Sequence, residues 1–284
     1  MRMEGPNPSP PPRIRPLTPV EAWRRYDADE RRLAAHVSER MLDLGGVRSG
    51  SRVLDIATGR GEPAIRAAAR AAPGGFVVGT DVSDGMLDFA RARAAAEGVT
   101  NLSIVVASGE TLVGIPDDSF DVALCRWGFM FFDRPRDAMT AARKRLKARG
   151  TLVAAVWAAP AQVPWSSMPR DMLARHTRLP PIEPTAPGAF RYASFADLRA
   201  DLVGAGFTLE HEESLYTPIM EAATPDGLIE WCLAFGFASA LADQPEPVRI
   251  AWRRDMATEA AHYRDPDGLY RLGGVTHLVV ARSP

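Results

Sequence analysis

Between Ser51 and Trp157, short apolar runs alternate strictly with longer amphipathic ones, and this rhythm constrains the fold more than any other feature. "SRVLDIA" (Ser51 to Ala57), "FVVGTD" (Phe76 to Asp81), "LSIVVA" (Leu102 to Ala107), "SFDVALCRW" (Ser119 to Trp127) and "TLVAAVW" (Thr151 to Trp157) read as strands. Three helices are expected between them. "EPAIRAAARAA" carries Pro63 in its first turn, "SDGMLDFARARAAAEG" is capped by Ser83 and ended by Gly98, and "PRDAMTAARKRLKARG" is stopped by Gly150. Such alternation predicts an α/β, Rossmann-like, mostly parallel sheet with helices on both faces. Right-handed crossovers then put the strands' carboxyl ends on one rim, where ligands bind.

The flanks read differently. Trp23, Tyr26, Leu33, Val37 and Met41 recur at helical spacing, so one helix is expected from Pro19 to about Leu44, stopped by Gly45 and Gly46. After Trp157 the chain turns proline-rich, with one helix near Met168 to His176. "SFADLRADLVGAGF" returns to helix, and "TLEHEESLYTPI" alternates as a strand. Pro225 to His262 is mostly helical with a break at Gln244 to Pro247, and "GVTHLVVARS" is a final strand. The expected organisation is a disordered, proline-rich tail over 1–17 and a single domain over 18–284. Within that domain lie an N-terminal helix (18–46), a core (51–157) and two lid-like insertions (160–190 and 224–267).

Composition narrows the function. A net charge of −1 gives a nucleic-acid partner no bulk electrostatic support. Cys125 and Cys232 stand far apart, which excludes a disulfide framework and a cysteine-rich zinc site and suits a reducing cytoplasm. No metal constellation is visible, no apolar run is long enough to span a bilayer, and the N-terminus lacks the apolar core of a signal peptide.

The chemistry concentrates in "VLDIATGRGEPAIRAA". Gly59-x-Gly61-x-x-Ala64 fits the dinucleotide fingerprint. Asp81, at the end of the second strand, is spaced to accept hydrogen bonds from an adenosine ribose. The ligand is therefore expected to carry adenosine. Asp55 and Glu62 flank the loop, and two acids there disfavour a pyrophosphate at the helix N-terminus and favour a ligand with a cationic end.

Taken together, "VLDIATGRGEPA", "GTDVSDGML", "ASGETL", "DDSFDVALCRWGFMFFDRPRDAM" and "LKARGTLVAAVW" resemble, in that order, the motifs of class I S-adenosylmethionine-dependent methyltransferases, nearest the ubiquinone/menaquinone-type (methyltransferase type 11) branch. The resemblance covers about 20–157 well. It implies a sheet whose last strand runs antiparallel and S-adenosylmethionine as cofactor, with S-adenosylhomocysteine as product. It also implies roles. Ala57, Gly59 and Gly61 line the methionine part, and Asp55 supports the loop. Asp81 binds the ribose, Val82 and Met86 lie against the adenine, and Ser108, Gly109 and Glu110 form the adenine edge. Arg126, through its carbonyl, and Trp127 meet the methionine end. The chain departs from the family in having Ala57-Thr58-Gly59 where a glycine-bracketed run is usual, Ser108 where Asp is usual, and "KARG" for "KPGG".

If the acceptor must lose a proton a base helps, and Tyr26 and His176 lead a field that includes His36, His211 and His262. Tyr26, Phe129, Trp157 and Trp165 are expected to line an apolar pocket for an aromatic or apolar small molecule methylated on carbon, oxygen or nitrogen, such as a natural-product intermediate. Two other functions stay open. One is an NAD(P)-dependent oxidoreductase. The other is a methyltransferase fold that catalyses a non-methylating step such as cyclisation.

Overall fold

The computed structural model describes residues 17–284; the proline-rich tail expected over 1–17 lies, but for its last residue, outside them. Two helices open the described chain, α1 (Pro19–Leu33) and α2 (Ala35–Leu44), followed by β1 (Arg52–Ile56), α3 (Ala64–Ala71), β2 (Phe76–Asp81), α4 (Asp84–Ala96), β3 (Leu102–Val106), β4 (Phe120–Arg126), α5 (Pro135–Arg145) and β5 (Leu146–Trp157). The second half holds α6 (Pro164–Ala174), α7 (Phe195–Gly204), β6 (Thr208–Ala222), α8 (Pro225–Cys232), α9 (Ala238–Ala242), α10 (Glu246–Ala260) and β7 (Tyr270–Arg282). All seven strands join one sheet in the order β3-β2-β1-β4-β5-β7-β6. β1 to β5 pair in parallel, and β7 runs antiparallel between β5 and β6. The order reverses between β1 and β4, which opens a crevice at their carboxyl ends.

Period-two alternation sorts the central strands onto two cores. Val53, Val122, Leu124 and Val153 pack with α2 and α3, while Leu54, Ile56, Ala123, Cys125 and Leu152 pack with α5 and the helices of the second half. The same alternation sends Asp55 and Arg126 to the α2–α3 face at the ends of adjacent strands. Gly75 lets the chain re-enter the sheet closely, since a Cβ there would lie 2.4 Å from the Ala71 carbonyl.

Three expectations are corrected. The N-terminal helix is two helices, broken at Ala34. The His36 imidazole takes the Leu33 carbonyl at 3.0 Å, the acceptor a continuous helix would give to Val37, and the Val37 amide bonds to Ala34 instead. Ser83 sits at the start of α4 but its side chain makes no cap; its backbone N–H is held by Asp81. The helix expected to reach Gly150 ends at Arg145, because Leu146 pairs with Phe120 and is buried, so "LKARG" is already strand. The break near Gln244 lies between α9 and α10 as the sequence indicates.

Candidate active site

The floor of the crevice is the loop after β1. Gly59 and Gly61 have φ of +53° and +89°, and Ala57 has φ of +57°, a left-handed conformation that a side chain occupies at a cost. Space is made for the Ala57 methyl by Gly128, where a Cβ would come 2.7 Å from it. Over Gly59 the way is open: an added Cβ meets nothing nearer than Met86 Cε at 4.0 Å.

Two carboxylates fix this floor. Asp81 accepts from the Gly59 N–H through Oδ2 and from the Ser83 N–H through Oδ1, each at 2.9 Å, so it ties the loops after β1 and β2 together. Each oxygen keeps a lone pair for a further donor. Asp55 is fully buried, and its Oδ2 accepts from the Thr58 hydroxyl (2.6 Å) and the Ala64 N–H (3.0 Å). Its Oδ1 has no partner among the described residues. Burial, only partly offset by those bonds, pushes its pKa up to about 7.

The cover is α1. Arg60, between the two glycines, is bonded by Asp27 and by Glu30 (2.6 Å) and packs its guanidinium 3.7 Å from the centre of the Trp23 ring. Glu30 also meets Arg126 at 3.3 Å. Burial raises the Glu30 carboxyl, but Arg126 and Arg60 outweigh it and hold it below the ordinary carboxylate range. Arg126 is itself buried, and its Nη1 has no partner among the described residues. Tyr26, on the same helix, packs on Trp231 with centroids 4.0 Å apart, and burial raises its hydroxyl pKa. This network spans residues far apart in sequence, and no local spacing announces it. Arg60, Glu30 and Asp27 therefore do not stand out in the sequence.

The sequence argument about Glu62 is corrected. Glu62 is buried between Arg66 and Arg93 and bonded to both guanidiniums. With Glu62 paired to two guanidiniums and the Asp55 pKa pushed up to about 7, the two acids are a weaker argument against a diphosphate than their positions in the sequence suggest.

The remaining residues are placed as follows. Val82 is exposed and Met86 half-buried beside Gly59. The Ser108 hydroxyl accepts from the Glu110 N–H, Gly109 packs against Phe132 and Ile56, and Glu110 pairs with Arg134. Phe129 is wholly buried and meets Phe132 edge-on. Trp127 stacks on Trp157, which Trp165 meets edge-on. His176 lies beyond α6, bonded to Asp255 of α10 at 2.8 Å. His36 bonds the Leu33 and Tyr216 carbonyls, His211 pairs with Glu213 and His262 lies near Glu259, so the structure brings no two of these histidines together. Among the described residues no group of three His, Cys, Asp or Glu comes together to hold a metal, and no helix is long and apolar enough to cross a membrane.

With this geometry in view, residues 54–154 match the family model described as a methyltransferase domain. Over that stretch the chain is similar to the methyltransferase domain family. The stretch matched by this methyltransferase domain holds the glycine loop, Asp81 and the β4 rim. The chain is 38% identical over 113 residues, 39% of its own length, to a ubiquinone/menaquinone biosynthesis C-methyltransferase of Ectopseudomonas mendocina. It is 36% identical over 95 residues, 34% of its length, to an aklanonic acid methyltransferase of Streptomyces sp.. The aligned stretches span 44% and 43% of those proteins, less than half their length. The fold is shared more widely. An S-adenosylmethionine-dependent methyltransferase from Aquifex aeolicus superposes with a TM-score of 0.57 at 14% identity, covering 94% of this chain and all of that one. The [4+2]-cyclase SpnF superposes at 0.55 and 18% identity, covering 88% of this chain and 80% of that one.

Proposed function

We propose that this protein transfers the methyl group of S-adenosylmethionine to a small organic acceptor. The observation that carries this reading is the family match over the residues that build the loop, the acid and the rim. The residues present fit the cofactor. Asp81 offers acceptors for two ribose hydroxyls while remaining tied to the backbone. The open face of Gly59 allows close approach, and Met86 stands beside it. Val82, Ser108, Gly109 and Glu110 are assigned the adenine side, and Ala57 and Gly61 the methionine side. Arg126 is assigned a larger part than its carbonyl, because its unpartnered Nη1 is a buried cationic donor suited to the cofactor's carboxylate.

When bound, the cofactor supplies a methyl group already activated by a sulfonium. The chain's task is alignment and exclusion of water. α1 covers the loop, and the Arg60–Glu30–Arg126 network holds that cover without leaving a buried charge unpaired. Tyr26, its pKa raised, stays protonated at neutral pH and serves as a contact or hydrogen-bond donor rather than a base. His176 is held by Asp255 in the second-half helices, in which we include the lid over 160–190 and 224–267. The acceptor is assigned to the neighbourhood of Tyr26, Phe129, Trp157 and Trp165. A partner in the form of a small molecule, and a cytoplasmic setting, belong to the same proposal.

The test is formation of S-adenosylhomocysteine when the protein is incubated with S-adenosylmethionine and a panel of hydroxylated and ketonic aromatic acceptors. Product above background that disappears in Asp81→Ala supports the reading. Cofactor binding with no turnover across the panel favours the non-methylating reading, for which the likeness to a cyclase fold is the one specific observation.

A further inference from the structure

Three indole rings meet at the rim. Trp127 follows β4, Trp157 ends β5 and Trp165 lies in the first turn of α6. Trp127 and Trp157 stack with centroids 4.4 Å apart and planes 13° from parallel, and Trp165 meets Trp157 at 5.5 Å and 61°. The Arg126 guanidinium lies over Trp127, 4.6 Å from its centroid. Both groups lie against the π-surface of Trp127, so stacking on that ring is taken up within the protein. What it has left for a ligand is its edge, and the edge carries Nε1–H.

That donor has no acceptor. The Nε1 atoms of Trp127 and of Trp165 are both buried without a partner among the described residues. By contrast, Trp252 in the same half of the molecule donates to the Pro169 carbonyl at 2.8 Å. Buried indole N–H groups ordinarily find such a partner, and an orphan carries the full cost of its desolvation. Trp127 also holds φ of +56°, a conformation that a bulky residue keeps only when its surroundings impose it. Strain and orphaned donors coincide beside the loop assigned to the cofactor.

Resting on the methyl-transfer reading above, we propose that the acceptor is an aromatic compound bearing a carbonyl-type oxygen, and that the Trp127 and Trp165 indole N–H groups grip that oxygen at the ring edges. Recognition is by donation and not by stacking on Trp127. A pure hydrocarbon leaves both donors unpaired and is discriminated against for that reason.

The test uses the full chain saturated with S-adenosylhomocysteine and two probes of nearly one shape, acetylnaphthalene and isopropenylnaphthalene, in which C=O is replaced by C=CH2. Titration calorimetry is expected to show the ketone binding about tenfold more tightly, as one to two net hydrogen bonds provide. Trp165→Phe and Trp127→Phe keep an aromatic ring and remove the donor, and each is expected to cut that preference several-fold. Equal affinities in the native protein, an undiminished preference in both variants, or no uptake of either naphthalene would each overturn the proposal. Affinity for S-adenosylhomocysteine is measured on the same samples. Its absence from the native protein strikes at the methyl-transfer reading, whereas its presence with no ketone preference strikes only at the assignment of the two tryptophans.

Discussion

The floor and the cover of the glycine loop each bury a carboxylate, and the two are driven in opposite directions. Asp55, in the floor, has a hydroxyl and an amide for partners and no cation within bonding distance, so burial dominates and its pKa rises to about 7. Glu30, in the cover, is buried as deeply but lies between Arg60 and Arg126, and its pKa falls. Burial alone therefore does not set the charge of this site. The nearest guanidinium does. The floor holds its shape through hydrogen bonds from uncharged donors, and the cover is fastened by ion pairs.

That contrast can be broken from either side. The largest effect is expected in the cover. Glu30→Ala leaves Arg60 and Arg126 facing each other without their shared anion, and unfolding in urea should show a loss of about 3–5 kcal/mol. The loss should grow smaller in acid, since the folded state lowers the Glu30 pKa and its stabilisation fades as pH falls through the folded value. Asp55 carries the opposite sign. Its folded pKa lies above the unfolded one, so its contribution is complete below about pH 4 and is lost as pH rises towards and past 7. Asp55→Asn removes that loss. Relative to the native protein it should gain on the order of 4 kcal/mol between acid and pH 8, read from paired denaturation curves.

Next in size is Asp81→Asn, which replaces one acceptor oxygen of the tie between the two loops with a donor. Calorimetry should show S-adenosylhomocysteine bound about 30- to 100-fold more weakly, and the loss of one backbone hydrogen bond to the carboxylate should lower stability in urea by about 1–2 kcal/mol. The smallest effect sharpens the account of the floor. Ala57→Gly relieves a left-handed alanine, and a rise in stability of about 1 kcal/mol or less is expected, net of the glycine's own entropy cost.

The same contrast marks what the sequence made legible. The floor was readable because its parts are local: β1, the glycines, β2 and Asp81 follow one another at spacings that apolar periodicity and turn chemistry reveal. Asp81 stands 22 residues after Gly59, a separation the sequence shows, and the structure joins the two directly. The cover was not readable. Glu30 meets residues 30 and 96 positions away, and nothing near "DADERR" distinguishes it from a solvated helix face. Glu62 is opaque for the related reason that a charge in a loop's first turn reads as facing the ligand, whereas Arg66 and Arg93 reach it from α3 and α4. The strand that begins at Leu146 was hidden because Lys147, Ala148 and Arg149 are good helix formers, and pairing with β4 overrode that preference. The tryptophan cluster lay in between: each ring was visible, but its stacking, and the donors that stacking leaves unpartnered, depend on tertiary packing.

The direct measurement is equilibrium calorimetry of the full chain with S-adenosylhomocysteine and, separately, with NAD and NADP. The account predicts saturable heat with the thioether nucleoside, reduced by Asp81→Asn, and none with either dinucleotide. Tight uptake of a dinucleotide with no heat from S-adenosylhomocysteine would contradict it.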